Sequence, residues 1–435
     1  MSREMRHSGI EWIGEIPKEW NICRLKDVGT LYGGLTGKAG DDFNVEEDDI
    51  SYMLYIPFTN IFNNDSINPN QLFKVKIEQG EKQNLVQKGD LLFLMSSEDY
   101  DGVGKPAIME EQVDDLGLNS FCKGLRIYNN NTNSKFLFYL LSSHLHRELV
   151  RQEAKGFIRI NLRQDRLSCC PIFLPPLPEQ QKIANYLDKI CGEVDEMIAL
   201  QEQMIEELKA YKQSVITEAV TKGLNPNVPM KDSGIDWIGE IPENWKVIRI
   251  KYLLKERKER SDTGLEEPLS MSQKYGLIPT KEMDAIPNIA SSFVGAKLVY
   301  RHDLVFNKLK AHLGVFAESD YDGLVSPDYA VYYSSGLVDV KYLEYLFKSP
   351  QYIAEFIKLS TGVGAGLTRL YTSDLYSIYG IVPPIEIQRE IVDYIRQLSS
   401  EINTLIAIKQ AKIEELKEYK KSVIYEYVTG KKEVV

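Results

Sequence analysis

The chain has 435 residues, 43% of them hydrophobic and 26% charged, with a formal net charge of −11. That composition suits a globular protein with core enough for two to four domains, and the acidic balance excludes a chain that coats DNA with one uniform basic face. No apolar run approaches the roughly 20 residues that span a bilayer, and the first residues lack the apolar segment of a secretion signal. Five cysteines without a Cys-x-x-Cys pair form neither a disulfide scaffold nor a zinc site, so a reduced, cytoplasmic protein is expected.

The first element is Ser8-Gly9-Ile10-Glu11-Trp12-Ile13-Gly14-Glu15-Ile16-Pro17. Tyr32-Gly33-Gly34-Leu35-Thr36-Gly37-Lys38 follows. Its spacing fails as a phosphate loop, because Tyr32 stands where a glycine is needed and Ala39 where Ser or Thr should bind magnesium. It reads as a flexible loop whose Thr36 and Lys38 lie against DNA. The acidic run Asp41, Asp42, Glu46, Glu47, Asp48, Asp49 repels phosphate and reads as a loop facing away. Residues 91–95 (Leu-Leu-Phe-Leu-Met) predict a buried strand after the turn Lys88-Gly89-Asp90. Residues 136–150 read as one helix, on which His144 and His146 stand two apart and share no face. They read as partly exposed surface histidines rather than a metal pair. Residues 147–166 then gather Arg151, Lys155, Gly156, Arg159, Asn161, Arg163 and Gln164.

After Pro175-Pro176, residues 179–222 contain no proline and one glycine, and Gly223 follows, the expected asymmetry of a helix. Ile183, Leu187, Ile190, Val194, Met197, Met204, Leu208, Tyr211 and Val215 repeat in steps of four and three, with Gln201 the polar slot. That period predicts a coiled-coil seam on a helix about 60–65 Å long. The first element then returns as Ser233-Gly234-Ile235-Asp236-Trp237-Ile238-Gly239-Glu240-Ile241-Pro242, and Trp20, Arg24 and Lys26 recur in step as Trp245, Arg249 and Lys251. All four tryptophans lie in these two copies. A second variable block carries Gln273-Lys274-Tyr275-Gly276, a strand around Leu304-Val305-Phe306, then Asn307-Lys308-Leu309-Lys310-Ala311-His312. Residues 342–359 read as one helix, and 362–369 end a glycine-rich stretch on Arg369. A second long helix follows Pro383-Pro384 and Gln388, as the first follows Pro175-Pro176 and Gln180. Its seam is Ile391, Ile395, Leu398, Ile402, Leu405, Leu416, Tyr419 and Val423, with Lys409 at the place of Gln201. If the halves are related by a pseudo-two-fold axis the helices pair antiparallel. Gln201 and Lys409 then either meet as a polar layer or reach into solvent.

The plan is thus short element, variable block (27–173 and 252–381), long element, twice over. One scaffold presenting two specificities fits that pattern. Arg and Lys can read guanine, and Asn and Gln adenine, in the major groove, though the same residues also bind phosphate or simply face water. Pro327-Asp328 with Asp339-Val340-Lys341 fits a loose metal-nuclease pattern, but Asp339 also fits a helix cap. No Asp/Asn-Pro-Pro-Tyr methyltransferase motif and no Gly-x-Gly-x-x-Gly occurs. No catalytic residue and no metal site is assigned.

The duplicated Gly-Ile-Glu/Asp-Trp-Ile-Gly-Glu-Ile-Pro…Trp element and the Pro-Pro-x-x-x-Gln helix starts resemble the specificity subunits of type I restriction–modification systems, over nearly the whole chain. The resemblance implies an α/β (α+β) fold. Two pseudo-symmetric target recognition domains are separated by two long helices that form an antiparallel coiled coil. The domains would span 1–173 (repeat element 7–26) and 225–381 (repeat element 232–251), and the helical regions 174–224 and 382–435. Each domain would read one half of a bipartite site in double-stranded DNA. The helices would set the spacer and dock two methylation subunits, through which endonuclease/translocase subunits join. S-adenosylmethionine, ATP and magnesium would belong to those partners, with no cofactor in this chain and no membrane. The DNA-binding candidates are Thr36, Lys38, Lys155, Arg159, Asn161, Arg163, Gln273, Lys274, Tyr275, Asn307, Lys308, Lys310, His312 and Arg369. The candidates for the coiled coil and its partners are Leu187, Val194, Leu208, Val215, Ile395, Ile402, Leu416 and Val423. Gly33-Gly34-Leu35-Thr36 departs from the family's usual Gly-Gly-Thr-Pro, and base-reading residues vary with target, so no target sequence follows. The rival readings are a coiled-coil protein scaffold without DNA specificity, and a metal nuclease using Asp328, Asp339 and Lys341.

Overall fold

The computed structural model describes residues 3–10, 13–43, 45, 51–272, 275–283, 293–362 and 368–434. It divides into two units, Met1–Gln201 with Ala411–Val435, and Glu202–Gln410. In the first unit β1 (Met5–His7), β2 (Glu15–Pro17) and β3 (Asn21–Arg24) build the repeated element. β4 (Gly29–Gly33), β5 (Leu91–Leu94), β6 (Pro106–Ile108) and β7 (Cys122–Ile127) form a sheet. Helices α1 (Ser134–Ser142) and α2 (His144–Glu153) follow, and β8 (Pro171–Leu174) leads into the long α3 (Leu177–Lys222). In the second unit the repeated element is β9 (Met230–Asp232), β10 (Glu240–Pro242) and β11 (Lys246–Arg249). The sheet is β12 (Leu254–Glu256), β13 (Leu304–Asn307), β14 (Phe316–Glu318) and β15 (Tyr329–Ser334). Helices α4 (Val340–Phe347) and α5 (Pro350–Leu359), β16 (Tyr379–Val382) and the long α6 (Ile385–Val428) complete it.

The strands named above pair alike in the two copies. β1 pairs antiparallel with β2 and β9 with β10, both starting Met against Pro. β3 pairs with β8 as β11 pairs with β16. The sheets run β4-β7-β5-β6 and β12-β15-β13-β14. In β5 all four residues, and in β13 Leu304-Val305-Phe306, are apolar and buried because both faces of these inner strands are covered. Leu91 and Phe93 face one core and Leu92 and Leu94 another; Leu304 and Phe306 face one and Val305 the other, the alternation a pleated strand imposes.

Both single-helix expectations give way to helix pairs. Ser143, extended at ψ 146°, separates α1 from α2. Lys348 and Ser349 separate α4 from α5, because Pro350 has no N–H to continue the ladder. His146, expected on the surface, is fully buried and its Nε2 lies 3.0 Å from the Pro171 carbonyl. Burial pushes its pKa down to about 4.

The Pro-Pro-x-x-x-Gln motif acts as a clasp. Gln180 is 1% exposed. Its amide donates to the Pro175 and Asn131 carbonyls at 2.8 and 3.0 Å, and its oxygen accepts from the Asn133 N–H at 2.8 Å. Gln388 does the same with Pro383, Leu337 and the Asp339 N–H. Asn133 and Asp339 in turn cap α1 and α4. The clasp therefore ties α1 and α4 each to the root of a long helix.

At the other end of each long helix a left-handed glycine meets the repeated tryptophan. A Cβ on Gly223 (φ +86°) would stand 3.1 Å from the Trp245 ring, and one on Gly430 (φ +69°) 3.1 Å from Trp20 and 2.4 Å from Pro17. Only glycine holds that turn against the ring.

The long helices, 46 and 44 residues, pair antiparallel within each unit. In the first, Tyr186 meets Tyr427 with ring centres 4.5 Å apart, and Asp195 meets Lys420 at 2.8 Å. In the second, Met204 meets Lys409 at 3.0 Å and Lys212 meets Asn403 at 3.1 Å. Leu187, Val194, Ile395, Ile402, Leu416 and Val423 are buried in the seam, and Leu208 and Val215 are half-buried. The other half of the expected seam moves by one residue. Met197, Tyr211, Leu405 and Tyr419 are exposed, at 44%, 56%, 47% and 51%. Ile198, Lys212, Ile406 and Lys420 are more buried than they are, and Ile205 and Ile413 fully so. Both sets keep steps of four and three; the choice of flank falls to the partner helix, and it falls the same way in both copies.

Candidate nucleic-acid interface

In the first unit, the Gly33–Lys38 loop is stitched down rather than free. The Thr36 N–H donates to Gln83 Oε1 at 3.0 Å, and Gln83 returns a bond to the Thr36 carbonyl at 2.9 Å. Lys38 pairs with Glu81 at 2.6 Å with its side chain only 6% exposed. That bond is the main cause holding the Glu81 carboxyl down at about 2. The charge of Lys38 is thus neutralised inside the unit. Of the acidic run, Asp41 and Asp42 lie in a short 3-10 turn; Glu46, Glu47, Asp48 and Asp49 lie outside the described residues.

The basic stretch after α2 makes a closed loop. Lys155 and Asn161 exchange backbone bonds at 3.0 and 2.9 Å, and Ile160–Asn161 pairs with Ser96–Ser97. Lys155, Arg159, Asn161 and Arg163 are all exposed. Arg159 lies over the Phe121 ring at 5.3 Å, and Arg163 is forked onto Asp165 at 3.0 and 3.1 Å. Beside the loop opens a cavity of about 460 Å³ lined by Phe58, Phe62, Ser97, Phe121 and Arg159.

The second unit repeats this placement. Between α5 and the next short helix, Thr361–Gly362 pairs with Thr368–Arg369. Residues 363–367 lie outside the described residues, as do Gln273 and Lys274. Tyr275 is 47% exposed. The Leu370 N–H donates to the Lys308 carbonyl at 3.0 Å, so Lys308 and Arg369 come together. Asn307 folds its carboxamide oxygen onto the Leu309 N–H at 3.1 Å. Lys310 is exposed and His312 half-buried on a 3-10 turn, Ala311–Leu313.

Two cations that the sequence did not single out join this group. Lys297 is 7% exposed and donates to the Tyr329 carbonyl at 2.6 Å. Burial lowers its pKa, and the charges of Lys308, Arg260 and Arg369 lower it further. Burial and then Arg369 lower Lys308. Partial balance comes from Glu256, 3.8 Å from Lys297, and Asp328, 3.4 Å from Arg369. These cations repel one another and make the local potential positive. Lys297 stands alone among apolar neighbours in sequence, and Arg260 closes the mixed-charge run Lys255-Glu256-Arg257-Lys258-Glu259-Arg260, so neither is marked by a run of basic letters alone.

The nuclease pattern disperses. Asp339 caps α4 through the Lys341 and Tyr342 N–H groups at 2.9 and 3.1 Å. Lys341 pairs with Glu344 at 2.9 Å. Among the described residues no three His, Cys, Asp or Glu gather to hold a metal, and no helix is long and apolar enough to cross a membrane.

A model of the type I restriction modification DNA specificity domain matches residues 17–210. The putative type I restriction enzyme MjaX specificity subunit of Methanocaldococcus jannaschii is 28% identical over 451 aligned residues, 96% of this chain and 95% of that one. The EcoKI specificity subunit of Escherichia coli is 25% identical over 90% of this chain and 84% of its own. A solved chain from work on complex assembly and conformational transition of the type I R-M system shares the fold at TM-score 0.70 and 16% identity, over 95% of this chain and 99% of that one. The HsdS subunit of Thermoanaerobacter tengcongensis does so at TM-score 0.53 and 17% identity, over 95% and 98%. The specificity-domain match over residues 17–210 and the likeness over nearly the full length make the chain similar to the specificity subunits of type I restriction–modification systems.

Proposed function

We propose that this chain is the sequence-reading subunit of a type I restriction–modification complex, each variable domain reading one half of a split DNA site. The observation that carries this is the duplicated placement of two unlike loops. One frame, a helix before and a short helix after, presents the 155–161 loop in the first unit and the 361–369 loop in the second. A frame held constant while the presented loop changes in chemistry is what reading two different half-sites requires. The basic group Lys297, Lys308 and Arg369 supports phosphate anchoring beside the second loop.

The chain itself carries no chemistry in this reading. Adenine-N6 methyl transfer from S-adenosylmethionine and ATP- and magnesium-dependent cleavage belong to partner subunits, two methylation subunits docking on the paired long helices and the endonuclease/translocase subunits joining through them. The assembled complex should bind a duplex carrying its split site far more tightly than an unrelated duplex, with affinity falling steeply as salt rises. Lys308→Ala should weaken binding and reduce the salt slope by about one. A complex that binds every duplex alike supports a protein scaffold instead.

A further inference from the structure

Phe157 and Ile158 stand at the apex of the 155–161 loop at 102% and 86% exposure. Nothing in the fold needs them there, and two such side chains in water oppose solubility. The backbone nevertheless holds the loop tightly. Its feet are closed by the reciprocal Lys155–Asn161 bonds. Its turn is so tight that a Cβ on Gly156 would stand 1.8 Å from the Arg159 carbonyl oxygen. The apex is therefore presented by a stiff support rather than left loose.

What flanks it is cationic: Lys155 on one side and Arg159 on the other, both exposed, while Arg163 beyond them is paired with Asp165. That rim selects a polyanion over an apolar protein face. The major groove of DNA shows one apolar group, the C5 methyl of thymine, and phenyl or aliphatic side chains recognise it by contact.

We propose that Phe157-Ile158 reads a thymine methyl in the major groove of the half-site bound by the first unit. This rests on the DNA-reading function proposed above and adds to it the residues and the chemical group. The loop at the same place in the second unit offers Gly362-Val363-Gly364-Ala365-Gly366-Leu367; substitutions at Phe157 and Ile158 leave it unaltered, so the second half-site serves as the internal control.

The test uses the complex with its methylation subunits and duplexes in which each thymine of the split site is replaced in turn by uracil, which lacks only the methyl. For the unaltered complex, one replacement in the first unit's half-site should weaken binding about four-fold, the value of one buried methyl. The F157A/I158A complex should bind the thymine duplex correspondingly more weakly and be indifferent to that replacement. Both complexes should respond equally to replacements in the other half-site. The inference is overturned if no replacement in that half-site matters, if the double variant keeps the same discrimination, or if it instead falls away from the methylation subunits. Failure of the unaltered complex to prefer the split site over unrelated DNA would sink the underlying reading, a distinct result.

Discussion

Replacing Gln180 by Leu keeps its size and removes its polar end. The structure then leaves three buried or half-buried backbone groups without their partner: the Asn133 N–H and the carbonyls of Pro175 and Asn131. Each unpaired group of this kind costs about 1–3 kcal/mol. The Asn131 carbonyl lies nearer solvent and recovers part of its loss, so the sum is about 3–5 kcal/mol. That is a large share of the roughly 5–15 kcal/mol that holds a domain folded. Hydrogen–deuterium exchange read by mass spectrometry locates the damage. Exchange should rise sharply across residues 131–142 and the first turns of α3, and stay unchanged at 337–347. Gln388→Leu should produce the mirror pattern. Unchanged exchange at 131–142, or an equal rise in both places, would refute the clasp.

Three further outcomes follow from the same structure. Asp195 and Asn403 occupy equivalent places opposite Lys420 and Lys212, so Asp195→Asn converts one pair into the other. The Asp195 side chain is 55% exposed, so the substitution should cost less than about 1 kcal/mol; a loss above about 2 kcal/mol in urea unfolding would contradict this. His146 is neutral in the folded chain because burial lowers its pKa to about 4 from the ordinary 6.5. Its contribution is therefore whole above pH 6.5 and lost as pH falls toward 4, about 3 kcal/mol in all. His146→Gln should flatten the fall in stability over that range, and parallel curves would rule the account out. Deleting residues 198–204 and 406–412 together removes one heptad from each helix and keeps the seam in step. At 1.5 Å per residue the helices shorten by about 10 Å, so the spacer in the methylated motif should contract by about three base pairs of 3.4 Å; an unchanged spacer would remove the helices' role as a ruler.

The frame was legible because it is written twice. Repeated letters around Trp20 and Trp245, and the Gln180 and Gln388 starts, mark positions where the backbone itself is held, and such positions tolerate little change. The seam was legible only to within one residue, since apolar side chains line both flanks of each helix. Met197 and Tyr211 fit the period as well as Ile198 and Ile205 do, and lysines occupy the observed seam at 212 and 420. Long-range pairing was invisible. Nothing near Lys38 in sequence announces Glu81, and nothing near Lys297 announces Lys308 and Arg369. His146 was misplaced because alternation around it is weak, and its burial is decided by the Pro171 strand rather than by its own helix. Gln273 and Lys274 keep their standing as sequence candidates for the second half-site.

The measurement that bears most directly on the central claim is a map of methylated adenines across the genome, with and without this gene, in cells that hold the companion methylation subunit. A sequence-reading subunit with two reading domains predicts one split motif, two short half-sites around a fixed spacer, that disappears on deletion. Two identical maps would contradict the claim.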